Sequence, residues 1–450
     1  MFGFRALGRT HVPHRKYTAA HPGVKLNPKG DILLPLAQHI GATATPIVKA
    51  GDAVLVGQKV AEANGVVSSP IYSSVSGKVL KIEPYLRPDG RTVDAIRIAP
   101  DGEMKTVEGI TPPDVHDLDS LLLAVKESGL VGLGGAGFPA AVKLAAQKSG
   151  KIDTIVINGA ECEPYITSDT RAMLDGADWI YKGVLLLKKY FGVQMILGIE
   201  ENKPECIAKM TATLADVEGV RVQKLPSLYP QGAEKVLIYN TVRRVVPEGK
   251  LPADVGVLVI NVSSLLFLAK YVETGMPLVE RLVTVDGSAI REGKNVFVPI
   301  GTSAREVIEF VGGFIDEEDV GRVLYGGPMM GTCLSSLDEP VLKTTNALLA
   351  FTKKDSKEPA PTACIHCGRC VAACPLDLNP TTFSRALAYG DKEERVKILL
   401  DAHIRLCMEC GCCSFVCPAK RPLVQNNRLG KAEVRTYQAH QATLKKEKEA

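Results

Sequence analysis

The sequence predicts a multidomain chain of mixed α/β and α+β class, and three observations predict it. Short apolar runs separated by glycine turns fill residues 30–100. Strand and helix patterns alternate over residues 115–275. Two cysteine runs of one spacing begin at Cys364 and Cys407. A chain of 450 residues has room for about three domains. Its apolar share of 46% is that of globular protein with sizeable cores. A net charge of +4 is too small to point to a nucleic-acid partner. No stretch reaches the roughly 18 apolar residues that a membrane-spanning helix needs. The run Gly256 to Ala269 is too short and contains Asn261, Ser263 and Ser264. The opening Met1-Phe2-Gly3-Phe4-Arg5 lacks the apolar stretch of a secretory signal. Cysteines without a disulfide framework suit a reducing compartment.

Residues 1–29 are basic and rich in His, Pro and Gly. They predict an irregular arm, with His11, His14 and His21 on solvated surface rather than on a metal. Residues 30–114 predict a small all-β domain. Ile47 to Val54 alternates and turns at Gly51-Asp52, Gly57 to Ala61 follows, and Val75 to Ile82 alternates again. The phrase V-x-x-G-D-x-V-x-x-G-Q over Val48 to Gln58 resembles a barrel-sandwich hybrid of the lipoyl or biotinyl type. That family carries its prosthetic group on a lysine at a hairpin tip. Val66-Val67-Ser68-Ser69-Pro70 has no lysine, so the domain is read as a scaffold.

Residues 115–279 predict a Rossmann-like domain. An amphipathic helix over Leu118 to Ser128 leads into Gly129-Leu130-Val131-Gly132-Leu133-Gly134-Gly135-Ala136-Gly137-Phe138-Pro139, with Lys143 on the helix beyond it. Such a loop brings bare backbone N–H groups and a helix N-terminus against a phosphate. Glycine-dense loops are also common as plain turns, and the residues downstream decide between the two. A buried strand over Thr154 to Ile157 ends in Asn158-Gly159-Ala160-Glu161-Cys162-Glu163-Pro164-Tyr165, with Asp169 and Arg171 beyond. Later comes Tyr229-Pro230-Gln231-Gly232-Ala233-Glu234-Lys235. Polar residues at the carboxyl end of a strand are where α/β sheets bind ligands.

Residues 280–345 predict a smaller α+β unit, with strands at Leu282 to Gly287 and Asn295 to Gly301 and a helix over Ala304 to Val311. Gly326-Gly327-Pro328-Met329-Met330-Gly331 is a turn cluster without an assigned purpose. A polar linker, residues 352–362, leads into the cysteine runs of residues 346–430, and residues 431–450 form a polar helix or tail. Each run reads C-x2-C-x2-C-x3-C-P, the bacterial ferredoxin spacing. The fourth cysteine of each run ligates the other cluster. One 4Fe–4S cluster is therefore assigned to Cys364, Cys367, Cys370 and Cys417, and the other to Cys407, Cys410, Cys413 and Cys374. Structural zinc sites use pairs of pairs rather than triplets with a trailing Cys-Pro. Cys412 falls outside the pattern as a packing residue, and His366 is a spacer.

Residues 129–171 and 229–262 resemble the flavin- and NADH-binding subunit of respiratory complex I and its hydrogenase relatives. That family reads G-R-G-G-A-G-F-P with a Lys after it, then N-x-D-E-x-E-P. With a barrel in front and a double ferredoxin pattern behind, the whole chain is similar to the RnfC family. Its members are NADH-side subunits of membrane-bound ferredoxin:NAD+ oxidoreductases.

The resemblance implies FMN and NAD(H) beside the two clusters. It implies that Gly132, Gly134, Gly135, Gly137, Phe138 and Lys143 hold the flavin phosphate and face the nucleotide. Asn158 and Glu161 would contact the flavin, and Glu163 would face the nicotinamide ribose. NADH is expected over NADPH, since an acidic residue at the adenosine ribose accepts from a 2′-hydroxyl and repels a phosphate; the sequence leaves open which ribose Glu163 faces. Tyr229, Gly232 and Glu234 would line the other wall, with Asn261 near the phosphate. No residue is assigned as nucleophile or general base. Ala160, Ala233 and Leu144-Ala145-Ala146 depart from the complex I pattern, the last lacking an aromatic to stack on adenine.

The resemblance further implies a β-grasp (SLBB) fold for residues 280–345. It implies a peripheral position on the cytoplasmic face of a membrane, beside membrane subunits that include a ferredoxin-like iron–sulfur protein. Two other readings stand beside it. One is a soluble flavin and iron–sulfur reductase of the cobalamin reductase type. The other is an electron carrier without nucleotide binding.

Overall fold

The computed structural model describes residues 10–88 and 90–449, with side chains described to residue 444. The expectations for the first nine residues of the arm, and for the charged side chains that end the tail, lie outside the described residues. The chain divides into two compact units. The larger comprises His14–Leu225 and Gly256–Lys357. The smaller comprises the described residues up to Pro13, Pro226–Val255, and the chain from Glu358 onward.

In the larger unit the predicted β domain is two small antiparallel sheets. One orders Ile32–Pro35, Thr92–Pro100, Gly77–Leu86 and Ala53–Val54. The other orders Thr45–Pro46, Lys59–Glu62 and Ile71–Tyr72. Val60, Val75, Val79, Ile96 and Ile98 are fully buried, so the alternation read in the sequence is the inward face.

The α/β part is a four-stranded, all-parallel sheet in the order Val220–Leu225, Gln194–Glu200, Thr154–Gly159, Val257–Asn261. Its two central strands bury Ile155, Val156, Ile157, Met195, Leu197 and Ile199, the continuous apolar runs of strands covered on both faces. Helix Leu118–Glu127 precedes the glycine run, and helices Ser168–Asp175 and Val262–Thr274 pack against the central strand Thr154–Gly159. The first starts from an Asp117–Ser120 capping box.

The third part is a six-stranded mixed sheet in the order Val24–Lys25, Lys294–Pro299, Glu280–Asp286, Ala347–Thr352, Val320–Tyr325, Thr332–Cys333. The helix Ala304–Phe310 packs Val307 and Ile308 onto its core. Two sequence boundaries move here. The described part of the arm is irregular except at Val24–Lys25, a two-residue edge strand parallel to Val296 and Phe297. The expected break between residues 345 and 346 falls ahead of Ala347–Thr352, an inner strand whose first five residues are buried.

The smaller unit is an internal repeat, visible in its backbone as well as its cysteines. One residue offset relates Cys364 to Cys407, the left-handed His366 to Glu409, Gly368 to Gly411, and the left-handed Asp377 to Lys420. The same offset relates helix Arg369–Ala372 to Cys412–Phe415, and the start of Pro380–Ala386 to the start of Leu423–Glu449. That last helix runs across the expected boundary at residue 430. Val434 is buried in the unit's core with Phe383, Leu399 and Ile404. A Cβ at Gly430 would stand 2.7 Å from Ile404 Cδ1, so a larger residue there would push the Ile404 side chain aside. Residues 226–255, read in sequence as part of the flavin domain, group with this unit instead.

Candidate functional site

The parallel sheet reverses its strand order at Thr154–Gly159, whose neighbours are Gln194–Glu200 on one side and Val257–Asn261 on the other. Such a switch point opens a crevice at the carboxyl ends of the strands. Asn158 and Asn261 stand there, opposite each other in register.

The glycine loop lies on this crevice, and each glycine has a different reason. Gly132 N–H donates to the Phe138 carbonyl at 2.9 Å and closes the loop. A Cβ on Gly134 would lie 2.9 Å from Asn261 Nδ2. Gly137, at φ +67°, would put one 2.6 Å from Thr344 Cγ2. Gly135, at φ +155°, has nothing within 4 Å of where a Cβ would be. Its missing side chain therefore leaves open space rather than room for a protein neighbour, as a cofactor cradle requires. Leu133 is pinned from both sides: its N–H donates to Ser264 Oγ at 3.0 Å, and its carbonyl accepts from Arg281 Nη2 at 3.0 Å. Lys143 stands on the short helix Ala140–Leu144, and both it and Phe138 are half-buried.

The facing loop, Asn158 to Ile166, carries the acidic residues, and Glu161 and Asn261 both make hydrogen bonds within the protein. The Glu161 carboxylate does not face outward. Oε1 accepts from the Asp169 N–H at 2.6 Å and the Thr170 N–H at 3.3 Å, and Oε2 accepts from Thr170 Oγ1 at 2.5 Å. It holds the N-terminus of helix Ser168–Asp175, where a carboxylate is favoured. Asn261 is likewise spent within the protein. Its Oδ1 caps helix Val262–Thr274 through Ser263 and Ser264, and its Nδ2 donates to Asp169 Oδ2 at 2.8 Å. Burial raises the carboxyls of both Glu161 and Asp169 above their usual range.

Asn158 accepts from the Ala160 N–H at 3.2 Å. Glu163 reaches the turn cluster that had no assigned purpose: its Oε2 accepts from the Met329 N–H at 3.1 Å. A Cβ at Gly327 would stand 2.1 Å from that oxygen, so the glycine there makes room for Glu163.

Tyr229, Gly232 and Glu234 lie in the smaller unit. Tyr229 is buried there, its backbone paired with Thr10. Gly232 and Glu234 stand at the start of helix Glu234–Val242.

The cysteines of the smaller unit gather as the spacing predicts. Cys364, Cys367, Cys370 and Cys417 line one cavity, with His366, Val371 and Leu423. Cys374, Cys407, Cys410 and Cys413 line another, with Pro375, Leu378 and Asn427. The trailing cysteine of each run has crossed to the other triplet. Among the described residues, no three His, Cys, Asp or Glu side chains converge closely enough for a single metal ion. Each quartet lines a cavity of its own.

Asn427 Nδ2 donates to Cys407 Sγ at 3.4 Å, a contact of the kind that tunes cluster thiolates. Burial raises the thiols of Cys374 and Cys413, to about 11 and about 12. Cys412 also lines the second cavity; it is fully buried and its Sγ lies 3.9 Å from the Tyr229 carbonyl.

Four family descriptions match the chain: RnfC barrel sandwich hybrid domain over residues 5–103, Nuo51 FMN-binding domain over 125–270, SLBB domain over 282–332, and 4Fe-4S dicluster domain over 360–421. The chain is 44% identical to the C subunit of the proton-translocating ferredoxin:NAD(+) oxidoreductase complex of Clostridium ljungdahlii, over 82% of this chain and 81% of that one. It is 41% identical to the C subunit of the Na(+)-translocating complex of Acetobacterium woodii, over 83% and 85%. The chain belongs to the RnfC family of ion-translocating ferredoxin:NAD+ oxidoreductase subunits. A Pseudomonas aeruginosa member of that family is 42% identical over 90% of this chain and 52% of its own length. Among solved structures, an NAD+-reducing [NiFe]-hydrogenase in the H2-reduced state shares the fold, with a TM-score of 0.52 and 18% identity over 70% of this chain and 62% of that one.

In this member of the RnfC family, sequence reasoning passed over three buried basic residues and a fourth that is partly buried. Lys203 Nζ donates to the Ala160 carbonyl at 2.6 Å and pairs with buried Glu200 at 3.1 Å. Arg281 holds the glycine loop, and burial brings its guanidinium down to about 10. Lys343 donates to Ser69 Oγ, the Pro70 carbonyl and the Gly129 carbonyl at 3.1, 2.6 and 2.8 Å. It ties the barrel's Ser69-Pro70 turn to the start of the glycine run, and burial lowers it to about 7. Lys16 is the fourth. Each is a single basic residue in an unremarkable context, so burial was the only signal, and burial is not written in one sequence.

Proposed function

We propose that this chain exchanges hydride between NAD(H) and bound FMN and carries single electrons between that FMN and two 4Fe–4S clusters. The observation that carries this reading is one chain holding both a glycine loop over a sheet switch point and two separate cysteine quartets. When bound, FMN supplies the conversion between two-electron and one-electron transfer, and the clusters supply one-electron carriers.

The chain's own residues bind and orient. Gly135 leaves space where a flat ring or a phosphate lies against backbone. Arg281 and Ser264 fix the loop at Leu133 before any ligand arrives, so little ordering cost falls on binding. Lys143 faces phosphate. Glu163, fixed by Met329 N–H, presents negative charge toward a ribose and disfavours a 2′-phosphate. The two quartets hold the clusters, with Asn427 directed at thiolates of the second.

Among the described residues no helix is long and apolar enough to cross a membrane. We place the chain as a peripheral subunit on the cytoplasmic face, against membrane subunits that include a ferredoxin-like iron–sulfur protein. Expressed with those subunits, it is expected in the membrane fraction and released by mild salt or chelator. Recovery in the soluble fraction beside intact membrane subunits would contradict the placement.

A further inference from the structure

The loop 161–166 carries an unusual backbone. Glu161 and Tyr165 are both left-handed, at φ +47° and +68°, and neither is glycine. Non-glycine residues in that region persist where the surroundings over-determine them. The surroundings here are one short strap, His14 to Thr18. The Tyr165 N–H donates to the His14 carbonyl at 3.0 Å. The Arg15 guanidinium sits 5.7 Å from the centre of the Tyr165 ring. Thr18 Oγ1 meets Thr167 Oγ1 at 2.5 Å. Between them, Lys16 Nζ donates to three carbonyl oxygens of the loop: Glu161 at 2.8 Å, Glu163 at 2.8 Å and Ile166 at 2.6 Å. The strap is in turn anchored to the six-stranded sheet, where Asn295 Nδ2 donates to the Thr18 and His21 carbonyls.

We propose that Lys16 is a positioning residue for the nucleotide side of the site. By binding three carbonyls across residues 161–166 it holds the loop, and with it the Glu163 carboxylate, in the conformation that NAD(H) binding uses. This rests on the function proposed above. The chemistry asks for an ammonium in particular. Three carbonyl acceptors need three N–H donors, and only the protonated amine has them. Its nearest carboxylate oxygen, Glu161 Oε2, is 3.9 Å away, beyond hydrogen-bond reach. Burial lowers the Lys16 ammonium to about 8, with Glu161, Lys203, Glu200 and Cys162 as the charged or titratable groups around it, and Asp169 behind Glu161. Above that pH the neutral amine keeps two donors and turns a lone pair toward a carbonyl oxygen, so the loop loosens.

The test uses the full-length protein with its cofactors, comparing wild type with Lys16→Met and Lys16→Arg. Hydrogen exchange of peptides covering 160–167 reads positioning without reference to activity. Steady-state NADH oxidation with ferricyanide reads its consequence. Lys16→Met is expected to exchange at least tenfold faster in that segment and to raise the KM for NADH at least tenfold, with kcat within about threefold. Wild-type kcat/KM is expected to fall as pH rises through about 8. Lys16→Arg, protonated throughout, is expected to lack that limb.

Unchanged exchange in Lys16→Met overturns the positioning role. Faster exchange with an unchanged KM overturns its link to the nucleotide. If neither variant folds, a wild-type profile flat through pH 8 overturns the proposal and a falling one supports it. Wild-type protein that holds flavin yet does not oxidise NADH defeats the functional reading instead, and the exchange data still decide the role of Lys16.

Discussion

Gly135 gives the sharpest test of the flavin cradle, because steric conflict with the protein is absent there. Nothing lies within 4 Å of a Cβ built at this position, so Gly135→Ala displaces no neighbour. Two costs remain. At φ +155° the backbone is in a region that side chains other than glycine's rarely enter, and holding it costs about 1–3 kcal/mol. A loop whose binding conformation is disfavoured by that much binds its ligand about 5- to 150-fold more weakly, at 1.4 kcal/mol per tenfold.

Alanine is expected to show this backbone effect. Valine adds branched methyl groups in the open space itself, so it is expected to retain no flavin. The assay is acid extraction and flavin fluorescence after anaerobic purification, followed by titration of FMN into flavin-depleted protein. Iron content of the same samples serves as the control, since the cysteines lie in the other unit, and it is expected to stay at the wild-type level. Stoichiometric flavin in Gly135→Val would refute the assignment of this loop as the cradle. Loss of both flavin and iron would mean general misfolding, and thermal unfolding of the alanine variant then separates the two.

Cys364→Ser is expected to lower iron from about eight to about four per chain, while Cys412→Ser leaves it unchanged; iron and sulfide analysis decides, and equal loss in both would contradict the quartets. Lys343 makes a pH-dependent contribution to stability. Its folded value of about 7 lies below the ordinary lysine value, so the folded form sheds a proton that the unfolded form keeps between those limits, and stability gains as pH climbs through that window. The gap between wild type and Lys343→Met in urea should therefore move in favour of wild type from pH 7 to pH 9, by at most about 1.4 kcal/mol per pH unit. A constant gap would show that Lys343 does not titrate there. Glu163→Gln is expected to raise the KM for NADH and relax the preference over NADPH, by the roughly 1.5–3 kcal/mol of one charge-assisted hydrogen bond. An unchanged ratio would remove Glu163 from that role.

The cysteine quartets were fully legible in the sequence because their chemistry is local. The cysteines sit within short loops or at their Cys-Pro ends, and the placement of Cys374 and Cys417 beside the other triplet follows from the spacing. The glycine loop and the strand ending at Asn158 were legible for the same reason. What sequence reading lost was long-range. Ala347-Leu348-Leu349-Ala350-Phe351 is a short apolar run that periodicity does not assign, and only its pairing with residues 284–286 and 320–325 makes it an inner strand. Lys16 looked like one more basic residue of a solvated arm until the fold brought it to loop 161–166. Glu161 stood out by its motif, but that its carboxylate holds a helix end depends on Asp169 and Thr170 folding back onto it. Gly327 had no reading at all without Glu163 beside it.

The most direct test of the whole account is an anaerobic titration of the purified chain with NADH, monitored by absorbance across the flavin and iron–sulfur bands. With FMN and about eight irons bound, substoichiometric NADH is expected to bleach both sets of bands, since electrons accepted at the switch-point site pass on to the two quartets. Protein that carries flavin and iron in full yet keeps an unchanged spectrum under excess NADH would contradict it.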